Sequence, residues 1–242
     1  MRRCCRTLAV AVALLTVAGC GRPGVSGAGP AQSPAGEAGT VVRSFPEQIN
    51  PGARYLVYLH NQFLETAAPG EEHPRFGPYE YEEILSALAD RSLIVIAERR
   101  EADADPAVWA DRVVRQVRWL IAAGVPANAI TVVGFSKGGA IAILASAGLA
   151  EDGVNFVVLG ACGRWIELRP DLVPHGRLLS IVEAGDELGG TCRPLFDRAP
   201  AGSVTREIEL ELGGGHGAFF TPRDGWIEPT LEWALGAGGA GG

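Results

Sequence analysis

A serine between glycines is the first residue of this sequence whose type and setting could do chemistry. Ser136 stands in the pentapeptide 134–138 (Gly-Phe-Ser-Lys-Gly), after a β-branched run at 129–133 and before an apolar segment at 139–147. A strand, a sharp turn and a helix are the surroundings that a Gly-x-Ser-x-Gly nucleophile elbow requires. Glycines permit the tight turn, and the N-terminus of the following helix favours negative charge. Ser136 is therefore the candidate nucleophile, and an ordinary glycine-rich turn is the alternative.

A histidine follows the serine in the order that such an elbow requires, which is serine, acid, histidine. Only His175 and His216 come after Ser136. His216 lies in a glycine-rich loop directly behind the alternating, strand-like residues 204–212. We therefore take His216 as the candidate general base, with a solvated loop histidine as the alternative.

The candidate acid lies between the serine and the histidine. Asp186 follows a strand-like run at 178–182, and a loop at the end of that strand would carry it towards His216. Glu183 and Glu187 are the alternatives for the same role. An aspartate in a turn beside glycine also has a common structural explanation.

Apolar runs alternate with helical patterns along the chain and predict the elements that position these residues. Strands are predicted at 55–59, 93–96, 129–133, 155–160, 178–182 and 204–210, with an edge strand near 41–45, and helices at 81–89, 105–123, 137–147 and 226–235. Continuous apolar strands between helices indicate a mostly parallel sheet covered on both faces. The predicted fold class is α/β, and residues 161–177 leave room for only a short loop over the site.

Residues 124–139 resemble the α/β-hydrolase superfamily around its nucleophile, in the manner of small esterases, dienelactone hydrolases and related bacterial lipoproteins. The resemblance continues more weakly from about Tyr55 to Trp233, and its triad positions fall on Ser136, Asp186 and His216. It implies an α/β-hydrolase fold with a minimal cap or none. It also implies hydrolysis of a small-molecule carboxylic ester through an acyl-enzyme intermediate.

The sequence departs from the common pattern at the expected oxyanion hole. Residues 60–63 read His-Asn-Gln-Phe where many lipases have His-Gly-Gly-Gly, and Lys137 stands where many esterases carry Gln, Met or Leu. The resemblance implies that the backbone N–H of Lys137 and that of Asn61 or Gln62 stabilise the oxyanion. His60 is expected to pack beneath this loop rather than to act in catalysis.

The side chains around these loops predict a pocket and a charge pair. The predicted pocket residues, for which core packing is the alternative, are His60, Phe63, Trp165, Phe219 and Phe220. The cation of Lys137 is disfavoured at a helix N-terminus. It therefore predicts an acidic partner such as Glu183, Glu187 or a substrate carboxylate.

The chain begins with a segment typical of targeting. Residues 1–19 combine N-terminal arginines with an apolar stretch too short for a permanent membrane span. The sequence Val-Ala-Gly-Cys ending at Cys20 resembles a bacterial lipobox, which implies cleavage before Cys20, lipid on its sulfur and attachment to a cell-envelope membrane. Residues 20–40 predict a flexible tether, 41–235 the α/β domain, and 236–242 a disordered glycine-rich tail.

The cysteines divide into two groups. Cys4 and Cys5 would leave with the signal segment and Cys20 would carry lipid. Cys162 and Cys192 remain as an even pair in an oxidising compartment, which predicts a disulfide. Two separately buried thiols are the alternative.

Composition and missing motifs narrow the function classes. The chain has 242 residues and a net charge of -7, with no basic patch for nucleic acid. It contains no Walker loop, dinucleotide glycine fingerprint or His-Glu-x-x-His helix, so we predict no cofactor and no metal. Two alternatives to the esterase remain: a non-catalytic envelope lipoprotein that binds or scaffolds, and an amidase or peptidase on the same triad.

Overall fold

Parallel strands dominate the computed structural model, which describes residues 39–236. The strands of this part of the chain are β1 (Thr40–Val42), β2 (Arg54–Leu59), β3 (Glu72–His73), β4 (Gly77–Pro78), β5 (Leu93–Ile96), β6 (Ile130–Phe135), β7 (Asn155–Leu159), β8 (Arg177–Glu183) and β9 (Val204–Leu210). Its α-helices are α1 (Phe63–Thr66), α2 (Tyr81–Leu88), α3 (Pro106–Ala122), α4 (Lys137–Leu149), α5 (Arg193–Phe196) and α6 (Asp224–Ala234).

Seven of the strands in residues 39–236 form one sheet in the order β1-β5-β2-β6-β7-β8-β9. All six neighbouring pairs of this sheet are parallel. The predicted α/β class with a mostly parallel sheet is confirmed, and the predicted edge strand is β1. The other predicted strands and helices are present with ends shifted by a few residues.

Helices cover both faces of this sheet. The side chains of β2 alternate between the two: Tyr55, Val57 and Leu59 pack in the cluster that contains α3 and α4 residues. Leu56 and Tyr58 pack in the cluster that contains α2 and α6 residues. Because both faces are covered, the central strands are apolar throughout rather than alternating.

The strand order reverses at β2. The chain passes from β2 to its neighbour β5 on one side and then returns through α3 to β6 on the other side. Ligands of open parallel sheets bind at the carboxyl ends of strands where the order reverses. The loops that leave β2 and β6, which carry residues 60–62 and 136–137, therefore meet at the edge where a site is expected.

Three small elements were not predicted. A four-residue helix, α1, follows β2, an antiparallel hairpin of β3 and β4 follows α1, and a second four-residue helix, α5, follows β8. All three are too short for a sequence period to show. No helix within residues 39–236 is long and apolar enough to cross a bilayer. Cys20, the predicted signal segment, the tether up to residue 38 and the tail from residue 237 lie outside the described residues.

Candidate active site

Ser136 occupies a strained turn between β6 and α4. Its backbone has φ 55° and ψ -119°, a conformation that is uncommon for a residue with a side chain. Its N–H donates to the Leu159 carbonyl at 3.0 Å. A Cβ atom at Gly138 would overlap the Leu59 carbonyl, so this glycine lets α4 approach the end of β2. Strain of this kind is characteristic of functional positions, and the turn has the geometry of a nucleophile elbow.

His216 lies beside the elbow and bonds to the candidate acid. Its Nδ1 is 2.8 Å from Asp186 Oδ2, and its ring lies 4.9 Å from that of Phe135, the residue before Ser136. The Asp186 side chain is 1% exposed and that of His216 is 9% exposed. The two loops that follow β8 and β9 thus join an acid to an imidazole next to the serine.

Asp186 is held as an anion by its hydrogen bonds. Its Oδ1 accepts from the N–H groups of Leu188 and Gly189, both at 2.9 Å. Burial acts to raise the pKa of the carboxyl, but the hydrogen bond and charge of His216 and the two backbone donors outweigh it, so the pKa lies below its usual value. A Cβ atom at Gly160 would come within 2.7 Å of Asp186 Oδ2, so this close approach requires glycine there.

The alternative acids have other contacts. Glu183 accepts from the N–H groups of Gly185 at 2.8 Å and Gly213 at 3.0 Å, which braces the loops around Asp186. Glu187 is exposed, and its carboxylate is 3.8 Å from an Arg75 guanidinium nitrogen. Of the three acids considered from the sequence, the structure places Asp186 on the imidazole.

Ser136 and His216 line one cleft of about 260 Å³. Gln62, Lys137, Trp165 and Leu188 also line it. Within residues 39–236, neither the Gln62 nor the Lys137 backbone N–H donates a hydrogen bond. Two free amides beside the serine are what an oxyanion hole needs.

The predicted pocket residues separate into two groups. Trp165 lines the cleft, and its indole N–H donates to the Ala161 carbonyl at 2.8 Å. The other pocket candidates do not line this cleft and pack elsewhere in the structure: His60, Phe63, Phe219 and Phe220. Phe219, for example, is fully buried between Phe135 and Trp226.

Sequence reasoning missed Phe76, which lies in the β3–β4 hairpin. Its ring is 5.9 Å from the His216 ring, and a Cβ atom at Gly217 would be 2.9 Å from it. The hairpin therefore covers one side of the imidazole. The Gly77-Pro78 turn signal was available in the sequence, but nothing local indicated where the hairpin would pack.

The predicted partner of Lys137 was also wrong. Its Nζ is 2.7 Å from Oε2 of Glu65, a residue of α1, and not near Glu183 or Glu187. Because α1 was not predicted, Glu65 was not considered. The lysine is thus paired within the protein and is not an open site for a substrate carboxylate.

A second cavity of about 390 Å³ adjoins the cleft and shares Gly163 and Leu188 with it. Its wall includes Cys162, which is bonded to Cys192 as predicted, with a Cα–Cα distance of 5.0 Å. The disulfide ties the loop after β7 to the loop that carries Asp186. A larger cleft of about 810 Å³ lies between β1, α2 and α6 and contains none of the candidate residues.

No group of three or more His, Cys, Asp or Glu side chains in the described part of the chain is placed to hold a metal ion.

Comparison with known proteins bears on the fold of this chain. No family model and no curated protein matches the sequence. The crystal structure of SOBER1 from Arabidopsis thaliana is similar with a TM-score of 0.53 and 14% identity, over 76% of this chain and 98% of that chain. A single-substitution variant of that protein has a TM-score of 0.52 and 14% identity, over 75% and 98%. Together with the parallel sheet and the elbow after β6, this similarity shows that the chain has an α/β-hydrolase fold.

Proposed function

We propose that this chain is a serine hydrolase of the small-esterase kind that cleaves carboxylic esters. Ser136 is the nucleophile, His216 the general base and Asp186 the acid that orients the imidazole. The observation that carries the proposal is the 2.8 Å contact of His216 Nδ1 with Asp186 Oδ2, beside a cleft that Ser136 lines. The Nδ1–H of His216 donates a hydrogen bond to an ionised Asp186, which leaves Nε2 without a proton and able to accept one.

The reaction follows from these roles. Ser136 Oγ attacks the ester carbonyl carbon while its proton passes to His216 Nε2, and the carbonyl π electrons move to the oxygen. The N–H groups of Lys137 and Gln62 donate to this oxyanion. Collapse expels the alcohol, which takes the proton from the imidazolium. Water then attacks the acyl-enzyme by the same steps and releases the carboxylic acid and the free serine.

The substrate is a small ester with an apolar part. The cleft holds the reacting carbonyl, and Trp165 and Leu188 supply apolar surface at its wall. The adjoining cavity, which Leu188 and Ile166 line, gives the acyl or alcohol group room beyond the reacting carbonyl. Pockets of this combined size accept small molecules.

Fluorophosphonate labelling followed by mass spectrometry tests the proposal. The wild-type protein should be labelled on Ser136 and should hydrolyse p-nitrophenyl acetate or butyrate. Ser136→Ala should lose both, whereas Ser86→Ala, which changes an exposed serine of α2, should keep both. A wild-type protein that is neither labelled nor active would favour a non-catalytic scaffold instead.

We further propose that the protein is a lipoprotein of the bacterial cell envelope, anchored through Cys20. The support is the Val-Ala-Gly-Cys sequence and the Gly/Pro/Ser-rich residues that follow. A tether of this composition has a reach of about 25 Å, which would keep the domain close to the bilayer. Detergent-phase partition of the mature protein, with its loss in Cys20→Ala, is the test. Partition of both forms into water would refute the anchor.

A further inference from the structure

A buried cluster of charged side chains contacts the loop of residues 60–62, which carries the proposed oxyanion donor Gln62. Glu65 Oε1 is 3.0 Å from Arg100 Nε, and Glu65 Oε2 is 2.7 Å from Lys137 Nζ. The side chains of Arg100 and Glu65 are 0% and 1% exposed, and that of Lys137 is 15% exposed. One carboxylate is therefore shared by two cations.

Stability alone is a weak reason for such a cluster. Removing charges from water costs several kcal/mol per ion, and apolar side chains of similar volume often stabilise a fold as well or better. What the cluster does provide is geometry, because Arg100 and Glu65 are each fixed by more than one polar contact. The question is which atoms that geometry positions.

Arg100 extends the cluster to the backbone before Gln62. Its own N–H donates to His60 Nε2 at 2.9 Å, so the proton of the neutral ring lies on Nδ1, which donates to the Asn61 carbonyl at 2.7 Å. Arg100 Nη2 donates to the same carbonyl at 3.0 Å and also to the His60 carbonyl. The Asn61 carbonyl thus has two buried donors that hold it inward.

Because the peptide unit is planar, the direction of the Asn61 carbonyl fixes the direction of the Gln62 N–H. The Asn61 carbonyl and the Gln62 N–H belong to one peptide unit, and no peptide bond within residues 39–236 is cis. In a trans peptide the C=O and N–H point in opposite directions. An Asn61 carbonyl fixed towards Arg100 therefore turns the Gln62 N–H away from the cluster. Gln62 lines the cleft with Ser136.

We propose that Arg100, Glu65 and Lys137 are positioning residues that aim the Gln62 N–H at the oxyanion. The inference rests on the proposed function. Arg100 sets the direction of the amide, and Glu65 holds Arg100. Lys137 is the first residue of α4, and its backbone N–H is the other donor. Its side chain binds Glu65, so this donor is linked to the cluster. The cluster thereby fixes the two donors relative to each other.

Glu65→Gln tests the proposal because it removes the shared charge and keeps the shape. Losing one oxyanion donor costs about 100- to 1,000-fold in kcat, and we expect a misdirected donor to cost about 10- to 100-fold, with KM changed less than about threefold. The inhibition constant of a trifluoromethyl ketone, which mimics the tetrahedral intermediate, should rise by a similar factor. The matched control is Arg99→Gln. Arg99 donates to the carbonyl of Leu64 in α1 and to that of Ala67, the residue directly after α1. It does not donate to residues 60–61, so kcat should stay within about twofold.

A pair of variants at Gln62 tests whether the cluster acts by directing the Gln62 N–H or only by making the site more rigid. Gln62 has φ -70°, which proline can adopt, so Gln62→Pro deletes the N–H while Gln62→Ala keeps it. Gln62→Pro should have a lower kcat than Gln62→Ala, because only the alanine variant keeps the N–H. If the cluster acts through this amide, Glu65→Gln should cost little more in the Gln62→Pro background. Independent effects that multiply would overturn the proposal.

Lys137→Met gives a second route if Glu65→Gln does not fold, since Lys137 lies at the edge of the cluster. It should lower kcat and ketone affinity together, and Lys137→Arg should restore part of both. The positioning role would be refuted if only KM changed, or if kcat were unchanged in both Glu65→Gln and Lys137→Met. A wild-type protein without hydrolase activity would instead refute the proposed function, so the two failures are distinguishable.

Discussion

His60 should make the stability of the fold depend on pH. Burial, and next the charge of Arg100, lower the pKa of His60 from 6.5 to about 3. Arg99 and Lys137 add positive charge near the ring, and the Tyr81 ring packs edge-on at 6.0 Å. The folded protein therefore keeps the imidazole neutral where the unfolded chain protonates it.

The sign and size of this pH dependence follow from the linkage between proton binding and folding. A lowered folded pKa means that the stabilisation is complete above pH 6.5 and is lost as the pH falls from 6.5 through about 3. The full interval corresponds to at most ~5 kcal/mol at 1.36 kcal/mol per pKa unit. Between pH 7.5 and pH 5 the unfolded histidine becomes almost fully protonated, so the free energy of unfolding should fall by about 2 kcal/mol from this group.

Urea unfolding at a series of pH values measures this loss. His60→Gln removes the titrating group, so although the variant is less stable, its loss between pH 7.5 and pH 5 should be smaller by about 2 kcal/mol. His175→Gln, which changes a partly exposed histidine near Asp152, is the matched control and should keep most of the wild-type pH dependence. If wild type and His60→Gln lose the same free energy over this interval, the neutral, buried His60 is refuted.

Two further predictions concern the loops around Asp186. Asp186→Asn should lower kcat by on the order of 1,000-fold or more because it disrupts the tautomer and charge that His216 needs, whereas Glu183→Gln should cost less than about tenfold; equal losses in an ester-hydrolysis assay would contradict the assignment of the acid. The Cys162–Cys192 bond closes a loop with a sequence separation of 30, so replacing both cysteines with alanine should lower the free energy of unfolding by roughly 3–4 kcal/mol, which thermal or urea unfolding would measure, and unchanged stability would show that the bond does not constrain the chain.

The central sheet could be predicted because its signal is local. Runs such as 130–135 and 155–159 are mostly apolar, rich in β-branched residues and bounded by turn residues. Both their strand conformation and their burial can therefore be predicted from the sequence. The order serine, acid, histidine of Ser136, Asp186 and His216, which follow β6, β8 and β9, could also be predicted from the sequence. These are the elements whose sequence period agrees with their environment.

The charge cluster could not be predicted because its members come from elements without a period. Glu65 lies in a four-residue helix, and Arg100 lies in the irregular segment after β5. A lysine that follows the elbow indicates that some acid is near, but the identity of that acid depends on packing between segments distant in sequence. Phe76 was missed for the same reason.

The topology explains why the two halves of the site meet. His60, Arg100 and Lys137 follow β2, β5 and β6, which are adjacent in the order β5-β2-β6. Because parallel strands end at the same edge, their first loop residues are brought together. Asp186 and His216 follow β8 and β9 at that same edge.

Ser136 stands between these halves, since it follows β6 and its N–H bonds to the end of β7. In the proposed mechanism, the side of β8 and β9 supplies the groups that move a proton, and the side of β5 and β2 supplies the groups that hold a negative oxygen. A substitution on the first side should therefore alter the pH profile of kcat, and one on the second side the affinity for a tetrahedral mimic. Because no hydrogen bond or ion pair within residues 39–236 joins the charge cluster of Glu65, Arg100 and Lys137 to the Asp186–His216 pair, the effects of Asp186→Asn and Glu65→Gln on the binding of such a mimic should multiply.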